Sequence, residues 1–407
     1  MTVLGFETRI YKMRFIDLFC GIGGFHQALK NLGFECVFAC DIDDACRKTY
    51  EENYGMRPCG DITKIYPQEI PEFDVLCGGF PCQSFSKAGF RKGFGDDRGN
   101  LFFNICAIAQ HHRPKYMLLE NVRNLASHDS GNTWRVIRDS VRELGYLTYE
   151  DPVILNALDF KIPQNRERVI IMCKRADLGG LPDLPKIKGR KRKTRLSDIL
   201  CDRDQEKISG KMKVVEEVWH EFVTLLVGNG IPAPKFPVWT DWWDSDGDGT
   251  ASDTLEKKEA FYGKYKNWID KNRDFYSSNE SLLGPWLRKS RERKEWVGAV
   301  RKFEWQAGDF RPDDGMDKVL WTARGSGIRV KRPDYAPTLV ALSQVPVYGP
   351  ESRRLTPREL LRLQCFPDSF KYKEKDIYKQ VGNAVNVTMI ERCARFLVLG
   401  EPLFGNE

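Results

Sequence analysis

The chain has 407 residues, of which 41% are hydrophobic, 12% aromatic and 30% charged, with a formal net charge of +7. That length predicts about two domains and excludes a small stapled scaffold. Without an apolar run long enough to span a membrane, or a charged and apolar leader, the sequence predicts a soluble intracellular protein and argues against a membrane partner.

Residues 1–173 alternate apolar runs of β type with helical patterns. The predicted strands are Arg14 to Phe19, Glu35 to Asp41, Phe73 to Cys77, Lys115 to Glu120 and Arg168 to Cys173. The predicted helices are Phe25 to Leu32, Asp44 to Tyr54, Leu101 to His111 and Thr133 to Leu144. Alternation of this kind predicts an α/β fold, doubly wound on a parallel sheet, with ligands bound where strands end at their carboxyl edge. After Lys174 the texture changes to LGGLPDLP and then KIKGRKRKTR, Lys186 to Arg195, a basic hinge in which seven of ten residues are Lys or Arg. Nine of the ten tryptophans fall between Trp219 and Trp321, which predicts a second, smaller folded domain inserted into the first. From Arg353 the helical pattern RRLTPRELLRLQ resumes, and VGNAVNVTMIERCARFLVL predicts a buried helix returning to the first domain. The expected division is therefore 1–185, 186–352 and 353–407. Charge divides unevenly along it. Residues 1–173 hold 21 Lys+Arg against 22 Asp+Glu, net −1, residues 174–352 hold 33 against 28, net +5, and residues 353–407 hold 10 against 7, net +3. The basic excess is compatible with a polyanionic partner.

Twelve cysteines without a CxxC pair read as free thiols, and five histidines without HExxH give no zinc signature. Asp244, Asp246, Asp248 and Gly249 match the first half of a calcium loop, but its twelfth position is Leu255, so no metal is expected.

Several motifs carry chemistry. DLFCGIGGF, Asp17 to Phe25, is a glycine turn at a helix start, where Gly21 and Gly23 allow close approach of a nucleotide-like ligand. His26 stands where the dinucleotide fingerprint needs glycine, which disfavours an NAD enzyme. Asp41 in ACDID is placed to accept from a ribose diol, and Asp61 in GDI from an adenine amine; helix capping or a solvated turn is the alternative for each. In CGGFPCQSFS, Cys82 follows a proline in a loop after a strand, as a presented nucleophile does, although a structural cysteine remains open. The glycine-rich and charged KAGFRKGFGDDRG that follows fits a loop closing over substrate. In QNRER alternation places Gln164, Arg166 and Arg168 on one face, for which a solvated basic edge is the alternative.

DLFCGIGGF, GGFPCQSFS, ENVRNL, QNRER, RRLTPRELLRLQCFP and QVGNAV occur in this order, and with them residues 14–173 and 353–398 closely resemble the DNA cytosine-5 methyltransferase family, in particular its bacterial restriction-modification members. The resemblance implies a Rossmann-like methyltransferase domain binding S-adenosylmethionine, with S-adenosylhomocysteine as product, and a variable target-recognition domain. It implies Cys82 as nucleophile, Glu120 holding a proton at ring nitrogen 3 in a dry pocket, Arg168 on the cytosine carbonyl oxygen and Arg166 supporting the closed loop. The Phe80 backbone would accept from the exocyclic amine, with Gln83, Ser86 and Gln164 beside the substrate. For the cofactor it implies Phe19 and Ile42 against adenine, Asp41 on the ribose, Asp61 and Ile62 at the adenine edge, Gly21, Ile22 and Gly23 near the methionine portion, Pro81 and Leu101 along the site, and Asn383 and Ala384 completing it. Thr338 and Leu339 resemble the Thr-Leu pair of recognition domains, and Arg324, Arg329, Lys331 and Arg332 are candidates for DNA contact. The expected enzyme is a monomer in the bacterial cytoplasm. The expected reaction methylates a flipped-out cytosine in double-stranded DNA, and the partner the resemblance implies is a cognate restriction endonuclease acting on the same site without a stable complex. An RNA substrate, as in the tRNA-methylating branch, is the alternative, disfavoured because its Cys-Phe-Thr tripeptide is absent. A non-catalytic relative would lack Cys82 or Glu120, and both are present.

Overall fold

The computed structural model describes residues 12–81, 101–187, 194–201, 205–244, 255–339 and 344–404, with side chains 255–261 excepted. It forms two compact units. The first is Met1–Thr194 with Pro337–Ala341 and Leu360–Glu407, and the second is Arg195–Ala336 with Leu342–Glu359.

The first unit is built on a seven-stranded sheet. Its parallel half consists of β1 (Arg14–Leu18), β2 (Glu35–Cys40), β3 (Val75–Gly79) and β4 (Tyr116–Val122) in the order β2-β1-β3-β4. These strands read as near-continuous apolar runs because helices cover both faces of a parallel sheet. Connecting them are α1 (Gly24–Asn31), α2 (Asp44–Tyr54) and α3 (Leu101–His112). The Asp43 carboxylate accepts from Ala45 N and Cys46 N to start α2, which ends at Gly55 in the left-handed region. After β4 comes the amphipathic α4 (Asn132–Glu143), then β5 (Tyr146–Thr148), β6 (Val153–Asn156), β7 (Gln164–Asn165) and β8 (Glu167–Arg175). The expectation of a purely parallel sheet is corrected here: β8 runs antiparallel to β4, and both β5 and β6 pair antiparallel with β8. β5 and β6 are only three and four residues long, too short for periodicity to reveal.

The second unit opens with α5 (Gly210–Gly228) and carries β9 (Val238–Trp239), α6 (Leu255–Ser278), α7 (Glu280–Arg291), β10 (Lys302–Trp305), β11 (Leu320–Arg324), β12 (Gly327–Lys331), β13 (Val347–Tyr348) and β14 (Arg353–Arg354). Its six strands form one sheet in the order β14-β13-β11-β12-β10-β9. The tryptophans make its core: Trp219 of α5 stacks on Phe303 of β10 at 4.4 Å and donates its indole N–H to Val300 O at 2.9 Å. Trp286, Trp296 and Trp321 are buried around it. Asp244, the first residue of the calcium-like pattern, forms a two-bonded ion pair with Arg291 at 2.7 Å, while Asp246, Asp248 and Gly249 lie outside the described residues.

The chain re-enters the first unit within α8 (Pro357–Leu363), followed by α9 (Glu374–Asn383) and α10 (Val387–Ala394). The single returning helix expected from VGNAVNVTMIERCARFLVL is two helices with a break between them. Asn386 explains it: its carboxamide oxygen accepts from Met389 N to cap α10, and its nitrogen donates to Leu363 O at 3.0 Å.

Within the second unit Arg353 and Glu359 form a buried pair, with two N–H···O contacts of 2.9 Å, and Glu359 also accepts from Cys201 N and Thr356 N. Removing the cation leaves that carboxylate buried without its counter-charge. Arg353→Met is expected to lower unfolding free energy by about 3 kcal/mol, measured as a shift in urea midpoint at constant slope.

Candidate active site

The carboxyl ends of β1 to β4 and the amino end of β8 gather the predicted residues. Leu18 ends β1, and the chain turns through Phe19, at φ 55°, and Gly21, at φ 53°. Gly23 sits at φ 88°, where a Cβ would approach the Tyr54 ring to 2.3 Å, and a Cβ on Gly24 would approach the Val385 carbonyl oxygen to 2.7 Å. Both positions therefore need glycine, the first for its backbone and the second for the close passage of the returning chain.

Asp41, just beyond β2, accepts from Gly21 N through one oxygen and from Asp43 N through the other, both at 2.8 Å. Burial raises its pKa against these two donors. Ile42 is 77% exposed, a bare apolar side chain beside that carboxylate, and Ile22 is fully buried. Asp61 accepts from the amide and the hydroxyl of Thr63 and starts a short helical turn, so the capping alternative is realised. Ile62 is buried, Leu101 half-buried and Pro81 exposed. At the end of α9, Asn383 is exposed and Ala384 buried. Among the described residues nothing lies within 4 Å of a Cβ added at Gly21, so on that side the loop borders open space among them. With the exposed Ile42 and the Asp41 carboxylate, this donor set fits a nucleoside with a ribose diol and an apolar-stacking base.

The catalytic candidates converge at the edge of β4. Glu120 and Arg168 are buried and form an ion pair with Nε and Oε1 2.7 Å apart. The pairing arises because β4 and β8 run antiparallel, so that Val122 lies opposite Arg168 and Glu120 opposite Ile170. Gly79 of β3 lies opposite Glu120, and Phe80 follows it. The Phe80 carbonyl accepts from Asn121 Nδ2 at 2.8 Å, which leaves its second lone pair for another donor. Asn121, in the ENV motif but passed over by sequence reasoning, thus ties the end of β3 to β4. Cys82, Gln83 and Ser86 lie outside the described residues.

Gln164, Arg166 and Arg168 are all buried, so the solvated-edge alternative for QNRER does not hold. Neither polar atom of the Gln164 amide has a hydrogen-bond partner among the described residues. Arg166 donates to Gly382 O through both terminal nitrogens at 3.2 Å, to Ala384 O at 2.7 Å and to Leu339 O at 3.3 Å. Its guanidinium is engaged with backbone on both sides of Asn383, and burial, with the charge of Arg168 adding, pushes its pKa down to about 9. Thr338 donates its hydroxyl to Asn165 O at 2.7 Å, so that proton is occupied within the fold.

In the second unit β-sheet register places Arg324, Arg329 and Lys331 on one face of the β11–β12 hairpin. Arg329 is paired with Glu304 at 2.9 Å, and Arg332 is held by Asp314 and Ala307 O. Lys331 lies over the Tyr335 ring at 5.8 Å. Arg324 Nε is buried without a hydrogen-bond partner among the described residues. Burial, with the neighbouring charge of Arg329, lowers the pKa of both Arg324 and Lys331.

Because three backbone carbonyls converge on Arg166, Arg166→Ala is expected to cost about 3 kcal/mol of stability. Thermal and urea unfolding of the variant beside the wild type check this value, and an unchanged midpoint would contradict the tie.

Comparisons with known proteins bear on the chain as a whole. The profile of the C-5 cytosine-specific DNA methylase family matches residues 13–398. The chain is 35% identical to the type II methyltransferase M.HpaII of Haemophilus parainfluenzae, covering 94% of this chain and 88% of that one. It is 49% identical over 172 residues to the type II methyltransferase M.HhaI of Haemophilus parahaemolyticus, covering 42% of this chain and 52% of that relative. A solved structure of the methyltransferase EhMeth of Entamoeba histolytica shares the fold with a TM-score of 0.51 at 13% identity, covering 96% of this chain and 98% of that one. The chain belongs to the C-5 cytosine-specific DNA methylase family.

Proposed function

We propose that this enzyme methylates carbon 5 of a flipped-out cytosine in double-stranded DNA at a specific sequence, through a covalent adduct to Cys82. The observation that carries the reading is the buried Glu120–Arg168 pair at the strand end next to Gly79 and Phe80, two residues before Cys82 in the sequence.

Carbon 5 of cytosine is a poor nucleophile. A Cys82 thiolate adding to carbon 6 turns the ring into an enamine, which makes carbon 5 reactive. Glu120 holds the proton at ring nitrogen 3, which offsets the electrons entering the ring. Arg168 serves two groups, the Glu120 carboxylate and the cytosine carbonyl oxygen, while the free lone pair of Phe80 O accepts from the exocyclic amine. A carbonyl acceptor beside a cation and an acid distinguishes cytosine from thymine, which presents another carbonyl where cytosine has its amine. When bound, S-adenosylmethionine supplies the electrophilic methyl group. The residues that would hold it are Phe19, Gly21, Ile22 and Gly23 on the first turn, Asp41 and Ile42 after β2, Asp61 and Ile62, Pro81 and Leu101, and Asn383 with Ala384 at the returning break. Loss of the carbon 5 proton to water then expels the Cys82 thiolate.

The target must leave the base stack, at a cost of a few kcal/mol that contacts to the DNA offset. We assign Arg324, Arg329 and Lys331 to those contacts. Arg332, held by Asp314 and two backbone carbonyls, is better read as a structural residue of the same unit. Arg324 is the strongest candidate for base readout, since it has an unmet donor on a like-charged face. The relatives' description as bacterial type II methyltransferases supports a role in a restriction-modification pair in the bacterial cytoplasm.

The test is incubation with labelled S-adenosylmethionine and unmethylated duplex DNA of mixed sequence, followed by mapping of the methylated base; no label at cytosine carbon 5 would sink the proposal. Cys82→Ser is expected to abolish transfer with cofactor affinity within about twofold of wild type, since cofactor contacts and nucleophile are separate groups. Arg324→Ala is expected to reduce discrimination between cognate and non-cognate DNA by about 1–3 kcal/mol. Arg332→Ala should instead lose thermal stability, read as a lower Tm than wild type, with that discrimination unchanged.

A further inference from the structure

We propose that Tyr54 is a positioning residue for cofactor binding, holding the glycine turn of the first strand in its binding shape through its hydroxyl and its ring. The proposal rests on the reading of that turn as the S-adenosylmethionine site.

The turn between Leu18 and Gly24 contains Gly21 and Gly23 in the left-handed region, and glycines of this kind bring little rigidity of their own. Beside the backbone bond from Cys20 N to Cys40 O at 3.0 Å, side chains from outside the turn hold it at both ends. At one end the Asp41 carboxylate accepts from Gly21 N. At the other, Tyr54, the last residue of α2, donates its hydroxyl to Gly23 O at 2.9 Å. That carbonyl also accepts from Gln27 N at 2.9 Å, the bond that opens α1, so the hydroxyl acts where the loop becomes helix. The Tyr54 ring lies against Gly23 on the side where a Cβ would point, leaving the side of Gly21 open.

The ring is itself fixed. Its face stacks on the His26 imidazole with centroids 3.8 Å apart and planes 14° from parallel. His26 Nδ1 lies 2.6 Å from the Tyr50 hydroxyl, and Tyr50 is fully buried. Burial, with Lys30 nearby, holds the His26 pKa down at about 3, so at neutral pH the imidazole is uncharged and the stack carries no charge. Burial also pushes the Tyr54 phenol well up, which keeps the donor protonated. None of these three side chains is among the groups assigned to the proposed reaction, and the Tyr54 hydroxyl meets the turn at Gly23.

The experiment compares full-length wild type, Tyr54→Phe and Tyr50→Phe by calorimetric titration with S-adenosylmethionine and with S-adenosylhomocysteine, alongside kcat, cofactor KM, DNA Kd and Tm. Tyr54→Phe keeps the ring and loses one hydrogen bond, so cofactor Kd and KM should rise by about threefold to tenfold. Its kcat at saturating cofactor and its DNA Kd should stay within about twofold, the split that separates positioning from general damage. Tyr50→Phe acts one residue further away and should raise cofactor Kd by less than Tyr54→Phe does. Unchanged cofactor affinity in Tyr54→Phe would overturn the proposal, as would parallel losses in cofactor and DNA binding that follow Tm. A wild type that binds neither probe overturns the reading of the turn itself, a result distinct from a wild type that binds and a variant that binds equally.

Discussion

Arg168 reaches Glu120 because β8 runs against β4. In an all-parallel sheet the amino end of the last strand would lie at the far edge from the carboxyl end of its neighbour. Reversal of one strand brings the start of β8 beside the end of β4, and a guanidinium and a carboxylate meet 2.7 Å apart among buried neighbours. Two charges removed from water carry a desolvation cost that one contact does not fully offset. Such a pair is poor evidence for stability and better evidence for a polar group kept ready for a ligand. The same edge carries the Phe80 carbonyl, held by Asn121, so acid, cation and acceptor stand on adjoining strand ends with little freedom to drift.

The glycine turn obeys a complementary constraint. Gly24 must be small because Val385 of the returning chain passes over it, and Gly23 must adopt a left-handed backbone beside an aromatic ring. The returning segment therefore has to break between α9 and α10. A continuous helix would carry Ala384 and Val385 along its axis, whereas the Asn386 cap turns the chain there. Arg166 then gathers the carbonyls on either side of Asn383, so the start of the strand that carries Arg168 and the segment closing the glycine turn share one guanidinium. Packing of this kind transmits small shifts, because buried donors and acceptors have no alternative partner in water.

Much of this was legible in the sequence. The strand-and-helix alternation of residues 1–173 and the order of six motifs point to the fold and to Glu120 and Arg168. Period-two alternation in QNRER sets Gln164, Arg166 and Arg168 on one expected face, and the structure buries all three. What it leaves open is whether that face meets water or protein, since burial depends on segments more than 150 residues away, such as Gly382 and Ala384. Strand direction was illegible for the same reason: a run of apolar residues looks the same whichever way it pairs. Asn121 was visible beside Glu120 in ENV, but a side chain whose only task is to satisfy a neighbouring carbonyl carries no compositional signal. The His26–Tyr54 stack joins residues 28 positions apart on two helices, and neither helical pattern announces it.

The second unit sharpens the difference between a basic sequence and a basic surface. WTARGSGIRVKRP presents four cations within nine residues, and all four read alike on the page. In three dimensions they separate. Arg332 is enclosed by Asp314 and two carbonyls, and Arg329 is balanced by Glu304, so much of the charge of each is answered from within the protein. Arg324 and Lys331 stand on the Arg329 face, where burial, with the crowding of positive charge added, disfavours their own protonated forms. A polyanion relieves that crowding, and relief of an existing repulsion adds to binding as surely as a new contact does. The basic excess beyond residue 173 is thus less informative as a sum than in its distribution. The charge the protein leaves unanswered is what a polyanion can meet, and a guanidinium with an unmet donor can report which base it meets as well as that it meets a phosphate.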